Sequence, residues 1–317
     1  MKLPISQKHL KTTPPSDDEN LLATINERLA DPPPHDASIE LPMLFVTGSP
    51  RSGTTLLAQS IVGYFDLGFV DNLAAKFWAT PSIGIGLSRM VFGRDRAPEA
   101  KSDYGRTVGS NIHGFHYFWM NRLKLNWVDD LFQDPVERGV DWDEIHRVLG
   151  GLQQADGRSF LMKGYYPSYF MRRFCEFGRN VVFVRIKRNP IDQAASIRQA
   201  RLQELGREDI WWSMQPPEIY DLIEKSPADQ IAGQILGLNR HFERQAADPA
   251  VQCIDIDYDD LCGNPAKELG RIGDFVHDCT GRSLTVRGAL PSIAKSNRDT
   301  VDRVFQAAME NALTAFQ

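Results

Sequence analysis

The stretch MLFVTGSPRSGTT, residues 43–55, joins a continuous apolar run to a polar loop bounded by glycines. A short apolar run without polar interruption, ending at a glycine, is typical of a strand buried on both faces of a parallel sheet. We therefore predict a strand over Met43–Thr47. Apolar residues then recur at helical spacing over 54–65, which predicts a helix directly after the loop. Strand, glycine loop and helix form a first βα unit.

The remaining sequence repeats this alternation. Strand signals occur at 160–162, 181–186 and 251–256, and helical patterns occur near 168–177, 190–205 and 231–245. Strands that alternate with helices predict an α/β fold with a mostly parallel central sheet flanked by helices in three layers. We expect residues 1–40 to be a polar, proline-rich arm with one short helix near 20–30, and residues 41–317 to form a single domain. The segments 66–159 and 200–250 are too long for simple crossovers, so we expect them to build a pocket for a second ligand.

Composition excludes several classes of protein. The chain has 317 residues, with 36 Lys plus Arg and 41 Asp plus Glu, and a net charge of −5. A mildly acidic chain is not expected to bind nucleic acid in general, because that requires a strongly basic surface. The apolar runs are too short for an integral membrane protein, and the N-terminus lacks the apolar core of a secretory signal. Four cysteines without a CxxC pair indicate reduced thiols, as expected in the cytoplasm.

The loop from Gly48 to Thr55 has the glycine spacing of a Walker A phosphate loop, GxxxxGK[ST], with one change. Thr54 stands where that motif has the lysine that reaches the β- and γ-phosphates of ATP. Backbone N–H groups and the following helix N-terminus can still hold an anion, and Arg51 adds a cation inside the loop. This favours a nucleotide with a short 5′ anionic chain over a triphosphate on magnesium. The alternative is a glycine turn without a ligand.

A second basic site follows the strand predicted at 181–186. Pro190 is well placed to open a helix, and Ser196 lies less than two turns into it. Its side chain leans back toward the helix N-terminus, so Arg188 and Ser196 can converge on one anion at the carboxyl end of a strand, where open α/β sheets bind ligands. Between Arg185 and Arg201 there are five basic residues and one acidic residue. The alternative is a solvated basic helix face.

These motifs carry a resemblance to a known family. PRSGTT is similar to the 5′-phosphosulfate loop of sulfotransferases that use 3′-phosphoadenosine 5′-phosphosulfate (PAPS), and the spacing from Arg188 to Ser196 is similar to their 3′-phosphate motif. The resemblance covers roughly residues 43–65 and 158–280. It implies a sulfotransferase-like P-loop fold with PAPS as co-substrate and no metal. It also implies eight nucleotide-binding residues, which are Pro50, Arg51, Ser52, Gly53, Thr54, Thr55, Arg188 and Ser196.

The same resemblance points to catalytic residues. FLMKGYYP at 160–167 is similar to the strand end where many members of the family carry a catalytic lysine, which corresponds to Lys163. Cytosolic members have a catalytic histidine two residues later, and Tyr165 stands there in this sequence. A phenol has an ordinary pKa of about 10, so Tyr165 would need a large shift to act as a base.

Two histidines are the other candidates for the general base. His113 and His116 lie among aromatic residues in the first long insertion, and an imidazole titrates in the right range to accept a hydroxyl proton near neutral pH. We slightly favour His113 over His116. Packing of both histidines in the core is the alternative, and an unlocated carboxylate is another source of the base.

The sequence thus predicts a PAPS-dependent sulfotransferase that moves a sulfuryl group to a hydroxyl or amine acceptor by in-line transfer. A P-loop kinase or other phosphotransferase, and a non-catalytic nucleotide-binding protein, are the alternatives. The acceptor is expected to be a small molecule, a sugar or a lipid, and a homo-oligomer is left open.

Overall fold

The computed structural model describes residues 2–3, 17–29, 36–96, 98, 105–288 and 303–316. Its centre is a five-stranded sheet in the order β2-β3-β1-β4-β5. The strands are β1 (Met43–Thr47), β2 (Gly68–Phe69), β3 (Phe160–Lys163), β4 (Val181–Lys187) and β5 (Cys253–Asp257). Every neighbouring pair is parallel. The predicted α/β fold with a mostly parallel sheet is therefore confirmed.

The apolar character of β1 follows from its central position in the sheet. All five of its residues are buried, because strands pair on both sides and helices cover both faces. Successive side chains point to opposite faces, so Met43 and Phe45 join one core cluster while Leu44 and Val46 join another. The same two-sided burial holds for β4.

Twelve α-helices are present in the described part of the chain. They are α1 (Asp17–Leu29), α2 (Thr54–Tyr64), α3 (Pro81–Phe92), α4 (His116–Arg122), α5 (Trp142–Asp156), α6 (Met171–Cys175), α7 (Pro190–Leu205), α8 (Ile219–Leu222), α9 (Pro227–Ala246), α10 (Tyr258–Gly263), α11 (Pro265–Thr280) and α12 (Arg303–Phe316). Helices α2 and α11 pack on one face of the sheet. Helices α4, α5 and α6 pack on the other, and α12 packs on α7 and α9.

Most of the predicted elements are found with boundaries shifted by a few residues. The prediction for 190–205 coincides with α7, whereas the helix predicted near 168–177 is split. A 3₁₀ helix over Tyr166–Phe170 comes first and the short α6 follows. The tight first segment brings the Ser168 hydroxyl against the Thr47 hydroxyl at the end of β1. The first insertion, 66–159, contains β2 and the helices α3, α4 and α5.

The described part of the N-terminal arm contains the expected helix, α1. Its Asn26 side chain is 2% exposed; the amide nitrogen donates to the Lys76 carbonyl, and the amide oxygen accepts from the Ala79 N–H. The sequence also has a short polar, basic segment, KSNR at 295–298, which lies outside the described residues. All four cysteines are free. No helix in the described ranges has both the length and the apolar character needed to cross a bilayer.

Candidate active site

The loop between β1 and α2 has a backbone that requires two of its glycines. Gly48 has φ +156°, and a Cβ there would lie 2.7 Å from the Ile186 carbonyl oxygen. Gly53, the N-cap of α2, has φ +109°, and a Cβ there would lie 2.6 Å from the Tyr258 ring. L-residues rarely adopt such φ values, and neither backbone nor a buried ring can move aside cheaply. The loop is thus held close to β4 and to the start of α10.

Two side chains inside the loop are in conditions that suit a bound anion. Arg51 has φ +63°, a left-handed conformation that costs roughly 1–2 kcal/mol for a side chain of this kind. Ser52 is fully buried, and its hydroxyl oxygen has no hydrogen-bond partner among the described residues. Thr54 and Thr55 begin α2 and place two more hydroxyls in its first turn. Strain and a buried orphan hydroxyl at one turn are typical of a binding site.

The second predicted anion site lies directly against this loop. The Arg51 Nε donates to the Ser196 hydroxyl at 2.8 Å, and the Arg188 Nη1 donates to the Arg51 carbonyl at 3.3 Å. The Arg188 guanidinium also lies 4.1 Å from the centre of the Tyr258 ring. The structure therefore brings together Arg51, Arg188 and Ser196, which the sequence assigned to two separate motifs.

The other basic residues around α7 do not share this position. Arg185 and Lys187 both form ion pairs with Asp255 of β5, at 2.6 and 2.9 Å. The Arg198 guanidinium pairs with Glu208, and Arg201 is fully buried. Alternation along β4 puts residues 185 and 187 on the same side of the strand, whereas Arg188 follows the end of β4. The local excess of positive charge is thus mostly neutralised, whereas Arg188 has no carboxylate partner within the part of the chain described.

Lys163 is the last residue of β3 and pairs in register with Val46 of β1, immediately before the loop. Its amine Nζ donates to the Gly105 carbonyl at 3.0 Å. Burial and the nearby positive charge of Arg51 lower the pKa of Lys163 to about 8. The side chain therefore carries a proton at neutral pH but is close to losing it. A lysine at the end of the strand beside a phosphate loop can stabilise negative charge that develops there.

Tyr165 lies on the same strand end, and its hydroxyl donates to the Tyr166 hydroxyl at 3.2 Å. Burial raises the pKa of Tyr165, and its hydrogen bond with Tyr166 only partly opposes that shift. A phenol with a raised pKa keeps its proton near neutral pH. The chemistry of Tyr165 is thus that of a hydrogen-bond donor, not of a base.

Residues 111–116 bring both candidate histidines back to the carboxyl end of the sheet. Ile112 forms an antiparallel bridge with Asp71 just after β2, and the His113 N–H donates to the Val70 carbonyl at 2.8 Å. The His116 ring centre then lies 5.0 Å from that of Tyr165. Both histidines therefore lie near the end of β3. Neither belongs to a group of three His, Cys, Asp or Glu in the described residues that could hold a metal ion.

A backbone hydrogen bond orients the ring of His113. Its Nδ1 accepts from the Phe115 N–H at 2.9 Å, which assigns the proton of the neutral ring to Nε2. Phe115 itself has φ +52° as the N-cap of α4. With Nδ1 occupied and Nε2 protonated, His113 is arranged to donate a hydrogen bond. The ring of His116 instead packs edge-on against Tyr165, at the strand end that carries Lys163.

Three residues of the site were missed by the sequence interpretation. Tyr258 packs under both Gly53 and Arg188. Gly105 holds Lys163 through a backbone carbonyl, which no side-chain pattern reveals.

The third missed residue is Gln193, which donates to the Ser49 hydroxyl at 2.9 Å and to the Pro50 carbonyl at 3.0 Å. The sequence could have indicated Gln193, because its spacing places it one helical turn before Ser196 on the same face of α7.

Three solved structures to which the chain is similar are sulfotransferases. One from Mycobacterium avium has 15% identity and a TM-score of 0.48, covering 94% of this chain and 73% of its own. One from Mycobacterium tuberculosis H37Rv has 18% identity and a TM-score of 0.47, covering 92% of this chain and 75% of its own. The sulfotransferase domain from the curacin biosynthetic pathway has 18% identity and a TM-score of 0.40, covering 75% and 74%.

No protein-family model matches the chain, and neither does any curated protein. At these identities and TM-scores, only the residues of the site can indicate a function.

Proposed function

We propose that the chain is a PAPS-dependent sulfotransferase that moves a sulfuryl group to a hydroxyl or amine acceptor. The observation that carries the proposal is the 2.8 Å hydrogen bond from Arg51 to Ser196. It joins a loop suited to a 5′ anion to the pair suited to a second anion, Arg188 and Ser196. PAPS carries its 5′ and 3′ anionic groups on one ribose, so its two sites must be adjacent. A nucleoside triphosphate needs no such second site.

The residues present fit this nucleotide. Gly48 and Gly53 let the loop pack closely against Ile186 and Tyr258, which fixes a glycine-bounded backbone of the kind that binds anions. The buried Ser52 hydroxyl lacks a partner among the described residues, and an anionic oxygen would satisfy it. Pro50, Thr54 and Thr55 complete the loop and the first turn of α2, while Arg188 and Ser196 would bind the 3′-phosphate.

The bound donor supplies the sulfuryl group and the leaving phosphate. Lys163, as an ammonium beside the loop, stabilises the negative charge that grows on the leaving side as the bond to sulfur breaks. Its pKa of about 8 means that the ammonium form dominates at neutral pH. The Gly105 carbonyl holds the Lys163 amine near the carboxyl end of β3, so the amine needs little reorientation during the reaction.

The proton of the acceptor has to be taken up on the acceptor side. We assign that role to His116, because His113 uses Nδ1 to accept a backbone hydrogen bond and presents Nε2–H. His113 then donates a hydrogen bond toward the reacting group, whereas the single hydroxyl proton of Tyr165 is already donated to Tyr166. This assignment reverses the slight preference of the sequence for His113.

The experiment that tests the proposal is transfer of label from ³⁵S-PAPS to a panel of alcohols, phenols, sugars and lipid headgroups. Sulfation of any class supports the proposal. In parallel, 3′,5′-ADP should raise the melting temperature, since a ligand at 100 times its Kd stabilises the native state by about 2.7 kcal/mol. Magnesium ATP should raise it much less. Equal shifts from both nucleotides, with no sulfation, would show a phosphotransferase instead, and a shift without turnover on any acceptor would show a binding protein.

A further inference from the structure

Gln193 is a fully buried side chain whose amide nitrogen donates two hydrogen bonds to the phosphate loop. It lies in the first turn of α7 and is 0% exposed. One bond goes to the Ser49 hydroxyl at 2.9 Å and the other to the Pro50 carbonyl at 3.0 Å. The second bond fixes the orientation of the amide, because a carbonyl can only accept. No motif of the proposed function includes this residue.

Within the described residues, Gln193 is one of three residues that bond the loop to α7 or to the short link between β4 and α7. The Arg51 Nε donates to Ser196, three residues after Gln193 on the same helix, and Arg188 donates to the Arg51 carbonyl. Consecutive loop residues from 49 to 51 are therefore bonded to α7 and to Arg188, which together supply the second anion site. These bonds lie in a largely buried region, where a polar contact that is lost cannot be replaced by water.

We propose that Gln193 is a positioning residue that couples the two phosphate sites. A nucleotide with both phosphates then binds more tightly than the sum of the binding free energies of the two single phosphates predicts. The inference rests on the proposed function. An anion at Arg188 and Ser196 orders side chains that also contact Arg51. Gln193 keeps the loop from moving independently of α7, so the 5′ site is ordered at the same time. Such coupling is reciprocal between the two sites.

The measurement is a thermodynamic cycle of four ligands: adenosine, 3′-AMP, 5′-AMP and 3′,5′-ADP, with each Kd determined by calorimetry. The coupling ratio is the product of the two monophosphate Kd values divided by the product of those for adenosine and 3′,5′-ADP. We expect about tenfold for the wild type, within the usual range of coupling between sites, and about one for Gln193→Met. The substitution leaves every charge of the protein unchanged. Repulsion between the two phosphates therefore contributes equally to the ratios of the wild type and the variant, and it cancels when the two ratios are compared.

Gln234 offers a matched control. It is also 0% exposed, lies on a helix, and donates through its amide nitrogen to two backbone carbonyls, those of Trp212 and Met214. Gln234→Met should lower the unfolding free energy about as much as Gln193→Met, because each loses two buried hydrogen bonds, and it should keep the wild-type coupling ratio. A merely structural role for Gln193 would leave the ratio unchanged in both variants.

If Gln193→Met does not fold, Ser49→Ala replaces it, because it removes one of the two acceptors and should lower the ratio to about threefold. A wild-type ratio of one, or an unchanged ratio in the variants, with tight binding of 3′,5′-ADP, overturns this inference and leaves the proposed function intact. If 3′,5′-ADP binds no better than adenosine, the proposed function and the inference both fail.

Discussion

The two halves of the candidate site are built in different ways. On the nucleotide side, consecutive residues of one loop and the first turns of one helix supply the contacts, and the backbone of Gly48, Arg51 and Gly53 sets the geometry. On the acceptor side, His113 and His116 come from an insertion that approaches the end of β3 closely at Gly114 and Gly164. A Cβ at Gly164 would lie 3.0 Å from the Gly114 carbonyl oxygen.

This difference explains what each half can recognise. A site made of backbone conformations and fixed cations suits an invariant anionic donor, because the anion is read by charge and by close approach. A site made of side chains on an insertion can change its lining without disturbing the sheet. We therefore expect substitutions in the two halves to separate into effects on nucleotide binding and effects on turnover.

The largest effect is expected for the base on the acceptor side. His116→Ala should lower kcat by about 10²–10⁴-fold, the usual contribution of a positioned general base. Binding of 3′,5′-ADP should stay near the wild-type value, because the nucleotide half is not touched. Steady-state kinetics with the best acceptor and calorimetry with 3′,5′-ADP measure the two quantities.

His113→Ala is the matched variant for that prediction, and we expect it to cost about tenfold in kcat, as the loss of one neutral hydrogen-bond donor would. A larger loss in His113→Ala than in His116→Ala would reverse the assignment. Near-normal turnover in both variants would move the base to Tyr165 or to a carboxylate.

The next effect concerns the backbone of the nucleotide half. Gly53→Ala should lower the unfolding free energy by about 2–4 kcal/mol, because a strained φ and a contact with the buried Tyr258 ring add together. Gly93 is the control: it has φ +80°, but a Cβ added there would have no neighbouring atom within 4 Å. Gly93→Ala should therefore cost only the strain, about 1–2 kcal/mol. Denaturant unfolding measures both, and equal losses would mean that the approach to Tyr258 does not constrain the loop.

The sequence predicted the sheet well because its central strands are buried on both faces. The run of residues in β1 and the first turn of α7, with Asn189 capping and Pro190 next, leave little choice of structure. In contrast, β2 has two residues, too few to show a period. In α3 the residues Ile83, Met90 and Val91 are exposed, so its pattern gives no clear buried face.

Within the site, the limit of prediction lies in pairing between distant segments. Three basic residues follow one another closely at 185, 187 and 188, yet only Arg188 reaches the loop, because Asp255 of β5 neutralises the other two. The Nδ1 bond that orients His113 depends on the left-handed conformation of Phe115. Neither the ion pairs of Asp255 nor the hydrogen bond to His113 can be predicted from the spacing of residues in the sequence.

A smaller effect tests the division between Arg188 and its basic neighbours. Arg188→Ala should weaken 3′,5′-ADP binding by about 2–3 kcal/mol through loss of charge-assisted hydrogen bonds. Binding of 5′-AMP should weaken by less than about 1 kcal/mol, the part due to the bond with the Arg51 carbonyl. Lys187→Ala is the control, since Lys187 pairs with Glu243 and Asp255, and it should leave both affinities unchanged. Equal losses for the two nucleotides in Arg188→Ala would mean that this residue does not bind the 3′-phosphate.

The smallest effect lies where the two halves meet, at Lys163. The pKa of its amine is lowered to about 8, so the ammonium form is present below pH 8 and is lost as the pH rises through that value. If the ammonium stabilises the leaving side, kcat/KM should fall about tenfold for each pH unit above 8, since only the protonated fraction reacts. On the acid side it should rise through about pH 6–7, where imidazoles titrate.

Lys163→Arg should keep its charge across this range, and its profile should therefore lose the alkaline limb. In the wild type, kcat should begin to fall at a higher pH than kcat/KM does, because a bound anionic donor beside the ammonium raises the pKa of Lys163. Initial rates from about pH 5.5 to 10, with and without saturating donor, measure both limbs. If the alkaline limb remains in Lys163→Arg, it is due to the titration of another group. Lys163 would then not be the residue that stabilises the leaving side.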